Sequence, residues 1–471
     1  MGALFRAGEQ KIRPGVYRRY ENTGSAAVPG AVYGVFAIPV HANFGPLATV
    51  STFSNDQLSD LKAMYGTGGT VDAALTLFEG GATKVFVYRL GTGGTAASVS
   101  LQAEGETGGV VATLTTKYPT SDEYNITIKP VLGDSMKKQL LVYLGTQLLE
   151  TIDYLASTDE QKDFVATVNA KSKYLTASEG EATGALAAVA NSALTGGADP
   201  TVNTESYSEA LTAFEAFKWN MLVLDTTEVA VHALVQAYID RIFNDGALGV
   251  CALGEPTTVA FADRCSHAKA FNDEKIIYFG SGYEDTDGNK VDGYYAIAKQ
   301  AGIVGSLPSN VSATHTVVPG AVNTLETLKN SQYETAIESG MVLLAPNDEG
   351  QVWFDSAVNT LVTPNAEQDD GWKKIRRTST RFELFDRIDR AVAPLIGKVN
   401  CDNIGIGDVI TVAQSVLDAM VGEKKLKAGA SISEDAEYRR GSDYAYFVIS
   451  VDDLDSLEKI YLRYQFRFTA E

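Results

Sequence analysis

Cysteine and histidine are scarce in this chain of 471 residues, which contains three cysteines and four histidines. Cys251, Cys265 and Cys401 are too few and too scattered for a disulfide framework or a zinc site. We therefore expect reduced thiols, buried in the core of a protein made in a cytosol. No histidine lies in an HExxH or HxH pattern, so the sequence predicts no metal centre.

The sequence motifs of nucleotide and serine chemistry are also missing. The chain has no GxxxxGK[ST] phosphate loop and no GxSxG nucleophile turn. Gly405-Ile406-Gly407 begins a GxGxxG pattern, but Ile410 stands in the place of the third glycine, so we interpret it as a helix start or turn. Cys265 and His267 have no third partner at a suitable spacing, which favours a structural histidine. We predict no catalytic residues, no cofactor and no enzymatic activity.

Positive charge and long apolar runs are in short supply. The chain has 39 basic residues against 59 acidic ones, a formal net charge of -20. Direct binding of nucleic acid needs a basic surface that displaces counterions, so we do not expect it. No run of eighteen or more apolar residues suggests a membrane span, and the first fifteen residues lack the apolar core of a secretory signal. The sequence therefore predicts no membrane insertion.

The most informative stretch that is present lies at the end of the chain, at residues 459–469 (KIYLRYQFRFT). Apolar and polar side chains alternate there without interruption, which is the signature of a strand with one buried face. Such a strand cannot keep a free edge in water, because it would recruit another chain. It is either the last strand of the chain's own sheet or a strand donated to a neighbouring subunit. The apolar set is Ile460, Leu462, Tyr464, Phe466 and Phe468.

Composition and periodicity divide the chain into five segments. Strands alternate with helices in the core segments, Gly-rich tracts flank a Thr- and Val-rich insert, and the last segment mixes long helices with short strands. We predict a multidomain α/β and α+β fold, with helices on both faces of a mixed core sheet, an inserted β-sandwich and a C-terminal α+β domain. The segments are the arm 1–24, the core 25–95, the insert 96–199, the core 200–365 and the C-terminal domain 366–471.

One basic cluster stands out in so acidic a chain. Lys373, Lys374, Arg376, Arg377 and Arg381 lie at the start of a predicted long helix. Cations at a helix N-terminus oppose the macrodipole at a cost of about 0.3–1 kcal/mol each. The cluster is either a solvated patch or a contact for an acidic partner surface that offsets this cost.

Six stretches, in this order across nearly the whole chain, resemble the tail sheath proteins of contractile-tailed phages and related contractile particles. The insert matches this family by its position and β character more than by sequence. The stretches are Arg13–Tyr17, Gly34–Val40 with Gly45-Pro46, Leu75–Arg89 (LTLFEGGATKVFVYR), Lys218-Trp219-Asn220, Val358–Leu361 and Leu395–Asn400.

The resemblance implies a structural protein that polymerises with itself. Sheath subunits stack as six-membered rings around an inner tail tube, and the cylinder contracts to drive the tube through a bacterial envelope. An N-terminal arm and a C-terminal strand each complete a small sheet in a neighbour. Here these segments correspond to Val16, Tyr17 and Tyr20, and to the terminal apolar set from Ile460 to Phe468.

The resemblance also implies partners and a location. The expected partners are other copies of the chain, the tail tube protein, and baseplate and tail-terminator proteins. The expected location is the tail sheath of a virion or headless particle assembled in the host cytoplasm. The five basic residues from Lys373 to Arg381 are our candidate for the tube-facing surface. The alternatives are a non-contractile structural virion protein and, with less support, an α/β hydrolase; contraction without nucleotide hydrolysis agrees with the missing phosphate loop.

Overall fold

The structure is a computed structural model that describes residues 3–4, 17–18, 30, 32–105 and 109–467. It contains two compact units. Among the described residues, unit 1 comprises 3–4, 17–18, 30 and 381–454, and unit 2 comprises 32–105, 109–380 and 455–467. The chain passes between the units three times, once inside a helix and once just before the terminal segment.

Ten α-helices lie in the described part of the chain. They are α1 (Leu58–Tyr65), α2 (Val71–Gly80), α3 (Glu160–Lys171), α4 (Thr204–Phe214), α5 (Val229–Asn244), α6 (Phe261–Phe271), α7 (Gly293–Ser306), α8 (Asn330–Glu338), α9 (Ile375–Val392) and α10 (Asn403–Gly422). Short 3₁₀ turns precede α1 and α9 and follow α9.

The strands of the central region and of unit 1 are β1 (Ala3–Leu4), β2 (Tyr17–Arg18), β3 (Val35–Val40), β4 (Val50–Ser54), β5 (Lys84–Arg89), β13 (Met221–Val223), β14 (Val250–Gly254), β15 (Ile276–Phe279), β16 (Tyr283–Asp285), β17 (Lys290–Val291), β18 (Ala321–Thr324), β19 (Met341–Val342), β20 (Leu344–Pro346), β21 (Val352–Phe354), β22 (Ser431–Glu434) and β23 (Phe447–Ser450). The strands between residues 98 and 193 are β6 (Ser98–Gln102), β7 (Val110–Thr116), β8 (Tyr124–Val131), β9 (Asp134–Leu144), β10 (Gln147–Leu155), β11 (Leu175–Glu179) and β12 (Val189–Ala193).

A seven-stranded sheet forms the centre of unit 2, in the order β19-β15-β14-β13-β3-β5-β4. All its pairings are parallel except that of β4 with β5. Strands β3 and β15 are buried along their whole length, as expected for parallel strands covered on both faces. Apolar side chains of α1, α2 and α7 pack on one face, and those of α4, α5, α6 and α8 pack on the other. The predicted mixed α/β architecture is confirmed.

Two helices on this sheet pack at glycines. A Cβ atom built on Gly80 of α2 would lie 2.7 Å from the Cα atom of Gly302 in α7. Gly81 then ends α2 in the left-handed region, with φ of 115°. The Gly-Gly-Ala sequence between α2 and β5 therefore serves close helix packing and a helix stop.

Residues 97–194 have a hydrophobic core of their own. A four-stranded sheet, β10-β9-β8-β12, and a three-stranded sheet, β11-β7-β6, pack together with α3. All the pairings within these two sheets are antiparallel. The core includes Leu114, Tyr124, Ile126, Val142 and Phe164.

Arg89 at the end of β5 is fully buried and joins this region to the central sheet. Its Nε donates to the Ala42 carbonyl at 2.8 Å, and its two terminal nitrogens donate to the carbonyls of Gly45 at 2.8 Å and Pro119 at 2.9 Å. The arginine that ends the sequence V-F-V-Y-R thus satisfies three backbone acceptors from two loops. Each buried carbonyl left without a donor would be costly.

Unit 1 is built on α10, the part of α9 from Arg381 onward, and the antiparallel pair β22–β23. Among the described helices, α10 alone is long and apolar enough to cross a membrane by length and composition. One of its faces packs in the core of unit 1 through Ala413, Val416, Leu417 and Met420. The absence of membrane insertion stays a prediction.

Replacement of Arg89 by leucine is expected to lower the free energy of unfolding by about 3 kcal/mol, because one buried and two partly buried carbonyls lose their donor. Urea unfolding followed by tryptophan fluorescence measures this loss. The matched control is Arg241→Leu, since the Arg241 side chain is 52% exposed in its ion pair with Glu215. The control is expected to lose much less, because an exposed ion pair is screened by solvent and contributes little. Equal losses in both variants would contradict the structural role assigned to Arg89.

Candidate assembly segments

The terminal segment, residues 459–467, belongs to none of the sheets in the described part of the chain. Four of the five predicted apolar residues are exposed by 68%, 69%, 75% and 83%; they are Ile460, Leu462, Tyr464 and Phe466. Phe468 lies outside the described residues. The interpretation as the last strand of the chain's own sheet is therefore not observed, and donation to a neighbour stays a prediction.

Exposure of this kind has a physical consequence. Burial of each of these side chains would stabilise a complex by about 1.5–3 kcal/mol. A contiguous apolar surface on a soluble protein usually marks a contact with another molecule. The segment is rich in aromatic and branched residues and contains neither glycine nor proline, so its sequence suits a strand once a partner edge is available.

The N-terminal candidate segment is described only in part. Val16 and Tyr20 lie outside the described residues. Tyr17–Arg18 forms β2, which pairs in parallel with Ala3–Leu4, the strand β1. An extended stretch at this position agrees with the sequence, and its donation to a neighbour stays a prediction.

The root of the terminal segment, residues 455–458, is held by charges. The Lys374 Nζ lies 2.7 Å from an oxygen of Asp455 and 2.9 Å from an oxygen of Glu458. The Ser312 hydroxyl donates to Glu458 at 3.0 Å. Arg376, whose side chain is 6% exposed, lies 3.6 Å from Asp455. The chain is therefore fixed immediately before it becomes exposed.

Every member of the basic cluster has a carboxylate partner in its own chain. Besides Lys374 and Arg376, Lys373 pairs with Asp370 at 2.9 Å and Arg377 with Asp369 at 3.5 Å in unit 2, and Arg381 pairs with Asp453 at 3.1 Å in unit 1. These carboxylates offset the cost of cations at the start of α9. An external acidic partner is thus not required to explain the cluster, and the tube-facing role of these five residues stays a prediction.

The ion pairs shift the pKa values of the groups at the root. Burial alone would raise the pKa of Asp455 and Glu458, but the hydrogen bonds from Lys374 and Ser456 outweigh it, and both pKa values fall below their ordinary values. Burial alone would lower the pKa of Lys374, but the two carboxylates raise it above its ordinary value. All three groups are therefore charged at neutral pH.

The β22–β23 pair in unit 1 is a candidate acceptor for an added strand. It has two strands, and the outer edge of each pairs with no other strand in the described residues. Ile432 is buried on its inner face, and Phe447 and Ile449 pack against the same core. A two-stranded sheet gains stability from a further strand.

An enzyme on the central sheet would bind its substrate at the carboxyl ends of β3 and β13, where the strand order reverses. Asp225 lies there and is saturated by donors of its own chain. Its carboxylate accepts from the His41 ring at 2.6 Å, the Thr70 hydroxyl at 2.6 Å and the Tyr207 hydroxyl at 2.8 Å. In this arrangement the carboxylate joins the ends of two strands to the start of α2.

The ring of His267, two residues after Cys265 in α6, lies 2.8 Å from a carboxylate oxygen of Glu255. Burial raises the pKa of the Cys265 thiol, which makes it a poor nucleophile. This geometry agrees with the structural histidine expected from the sequence.

Residues 201–360 match the family model described as the phage tail sheath protein central domain. We call residues 201–360 the sheath domain after this match. This sheath domain contains β13, β14, β15 and β19 of the central sheet, together with α5–α8.

Whole-chain comparisons agree with this match. The phage-like element PBSX protein XkdK of Bacillus subtilis (strain 168) is 25% identical to this chain over 480 residues. The alignment covers 98% of each protein. A sheath tail protein from Desulfitobacterium hafniense has a TM-score of 0.71 at 19% identity, with 93% of this chain and 100% of that chain covered. The contracted helical sheath of the anti-feeding prophage has a TM-score of 0.55 at 10% identity, with 97% and 99% covered. The chain has the sheath fold, and the resemblance predicted from sequence is confirmed.

The sheath domain ends on a motif that fixes the start of α9. The buried Asn359 side chain donates to the Trp372 carbonyl at 2.6 Å. The Thr360 hydroxyl donates to the Asp273 carbonyl at 2.8 Å, and its amide donates to Ile276 of β15 at 2.9 Å. The Asn-Thr-Leu sequence noted above therefore connects the central sheet to the turn that carries Lys374.

Sequence reasoning found the exposed segment but missed its root. The signal was present: Asp455 and Glu458 are the last acidic residues before a stretch whose charges are all basic up to Arg467. A three-residue spacing lets two carboxylates reach one lysine. The lysine is 81 residues away from Asp455, so spacing alone could not identify it.

Acidification is expected to release residues 455–458. The folded pKa values of Asp455 and Glu458 lie below their ordinary values of 3.8 and 4.5, so their stabilisation is complete above those values and is lost as the pH falls further. The contribution of Lys374 is present below its ordinary pKa of 10.5 and is lost only when the pH rises through its raised pKa.

Amide hydrogen exchange, corrected for its intrinsic pH dependence, measures this release. Protection at 455–458 should be constant between pH 5 and pH 9 and fall below about pH 4. Residues 460–467 serve as the internal control and should show no such step. Loss of protection already at pH 6 would contradict the role of the two carboxylates.

Proposed function

We propose that this chain is a tail sheath subunit, a structural protein without enzymatic activity. Copies of it polymerise as six-membered rings around an inner tail tube and contract to drive the tube through a bacterial envelope. The observation that carries the proposal is the terminal segment, four exposed apolar side chains on an extended stretch outside every sheet described here, on a chain with the sheath fold.

The link between subunits is an exchanged strand. Residues 460–467 of one copy add to the β22–β23 pair in unit 1 of another copy, and the N-terminal stretch around Tyr17 adds a second link. Burial of the four apolar side chains contributes roughly 6–12 kcal/mol before the costs of association. Ladder hydrogen bonds add about 0.5–1.5 kcal/mol each. This balance supports a link strong enough to persist while the subunits rotate.

Contraction in this proposal uses no nucleotide. The extended lattice stores its free energy as a kinetically trapped assembly, and contraction increases the contact between subunits. The missing phosphate loop agrees with this. The saturation of Asp225, at the sheet position where an enzyme would bind substrate, supports a structural role over the α/β hydrolase alternative.

The remaining parts of the proposal concern partners and place. The sheath surrounds a tube protein and meets baseplate and tail-terminator proteins at its two ends, in a phage virion or a headless particle assembled in the host cytoplasm. Supporting neighbours include a contracted sheath and a baseplate of the anti-feeding prophage. Residues 96–199 form the outer domain. Lys373, whose side chain is 35% exposed, is the basic residue best placed for the tube.

A chain ending at Leu457 is expected to fold but to build no tubes, because the donated strand is removed. Negative-stain microscopy measures tube formation, and circular dichroism checks the fold. The proposal also expects long hollow tubes of two diameters from the intact chain. Tubes from the truncated chain would contradict strand exchange, and a single diameter under all conditions would favour the non-contractile virion protein.

Two full-length double variants test whether assembly depends on the apolar face of the strand or only on the presence of the strand. Leu462→Asp with Phe466→Asp places charges on the apolar face and is expected to abolish tubes. Tyr461→Asp with Gln465→Glu places charges on the polar face and should retain them. Equal behaviour of the two pairs would contradict a strand with one buried face.

A further inference from the structure

The transition from fixed to exposed chain at the end of unit 2 occurs within two residues. The Glu458 side chain is 18% exposed. Ile460 is 68% exposed, and Tyr461 is 89% exposed. No burial of apolar side chains explains why the chain is held up to Glu458, since Leu457 is 80% exposed. The polar contacts of Asp455 and Glu458 therefore hold it.

These contacts come from two segments that are themselves connected. Ser312 donates to Glu458 at 3.0 Å from the loop that follows α7. Lys374 contacts both carboxylates from the turn before α9. The Thr380 hydroxyl of α9 donates to the Ser309 carbonyl at 2.9 Å, which ties the two segments together. The walls of the site are thus part of unit 2 and do not depend on the terminal segment.

The backbone next to Lys374 is equally fixed. Val358 pairs with Lys374 in an isolated antiparallel bridge, and the Asn359 amide donates to the Lys373 carbonyl at 3.0 Å. The amide of Thr378 donates to the Lys374 carbonyl at 3.0 Å, which starts α9. The side chain of Lys374 can therefore move together with Asp455 and Glu458 while its backbone stays in place.

We propose that Ser312, Lys374 and Arg376 form a socket that holds the root of the C-terminal arm, residues 455–458, on unit 2 of its own chain. In an assembled sheath, a force that a neighbouring subunit exerts on the donated strand is transmitted to unit 2 through this socket. The second statement rests on the proposed function, whereas the first concerns the single chain.

A charged socket suits this task. Two carboxylates on one lysine re-form after a brief opening, because the attraction acts over several ångströms. Residues 459–467, as far as the structure describes the chain beyond Glu458, are exposed and lie in no sheet, so this stretch can follow a moving neighbour while its root stays in place. In this proposal Lys374 and Arg376, at the start of α9, act within their own subunit by holding the root of its C-terminal arm.

Trypsin cleavage of the full-length, unassembled chain tests the socket. Cleavage after Lys459 requires the root to leave the socket, whereas cleavage after Arg463 does not, so the ratio of the two rates reports on the socket alone. Lys374→Met and Glu458→Gln are each expected to raise this ratio about tenfold, equivalent to about 1.4 kcal/mol. Lys373→Met is the matched control, since Lys373 pairs with Asp370, and should leave the ratio unchanged.

The double variant Lys374→Met, Glu458→Gln tests whether the two side chains hold the root through contact with each other or independently. If the two side chains act through each other, the double variant should raise the ratio little more than either single variant. Independent effects that multiply to about a hundredfold would overturn the socket as a pair. An unchanged ratio in Lys374→Met would overturn it altogether.

Tube assembly by the Lys374→Met chain tests the transmission of force. The variant keeps its strand and should form tubes, but these should break into shorter pieces on contraction than tubes of a Lys162→Met control, whose lysine pairs with Asp159 at 2.9 Å. Equal lengths after contraction, with a raised cleavage ratio, would overturn force transmission and leave the socket standing. Tubes from a chain ending at Leu457 would overturn the proposed strand exchange, and the cleavage ratio would still decide the socket.

Discussion

Hydrogen-bond pairing of extended backbone is the constraint on which this structure depends. The five inner strands of the central sheet, β15, β14, β13, β3 and β5, satisfy it by pairing with a neighbour on each side. The terminal segment has the composition of a strand and lacks such a partner among the described residues. The proposed function assigns the pairing of this exposed apolar stretch to a second copy of the chain.

Ion pairs hold the chain just before the exposed terminal segment. Lys374, Asp455 and Glu458 hold the end of the chain to unit 2 up to the residue where exposure begins. Asn359 and Thr360 tie that position to the central sheet through Trp372, Asp273 and Ile276. The sheath domain, which ends at residue 360, thus leads directly into the turn from which the arm is held.

Local pattern was sufficient for much of the fold, and it failed where partners are distant in sequence. Strand β5, Lys84–Arg89, follows from local pattern, because its residues 85–88 are β-branched or aromatic and a Gly-Gly pair precedes it. The antiparallel edge strand β4 was missed, since Val50–Ser54 is short and polar. The basic cluster was recognised, but its partners at Asp453, Asp455 and Glu458 were not, because ion pairs across about eighty residues leave no periodic trace.

The burial of Arg89 has a consequence for how such chains diverge. Its guanidinium binds only main-chain carbonyls, those of Ala42, Gly45 and Pro119. Main-chain oxygens are supplied by any amino acid, so this contact by itself places no demand on the side chains of the two loops. One arginine can therefore dock different β modules onto the same core, which makes this junction a natural place for grafting.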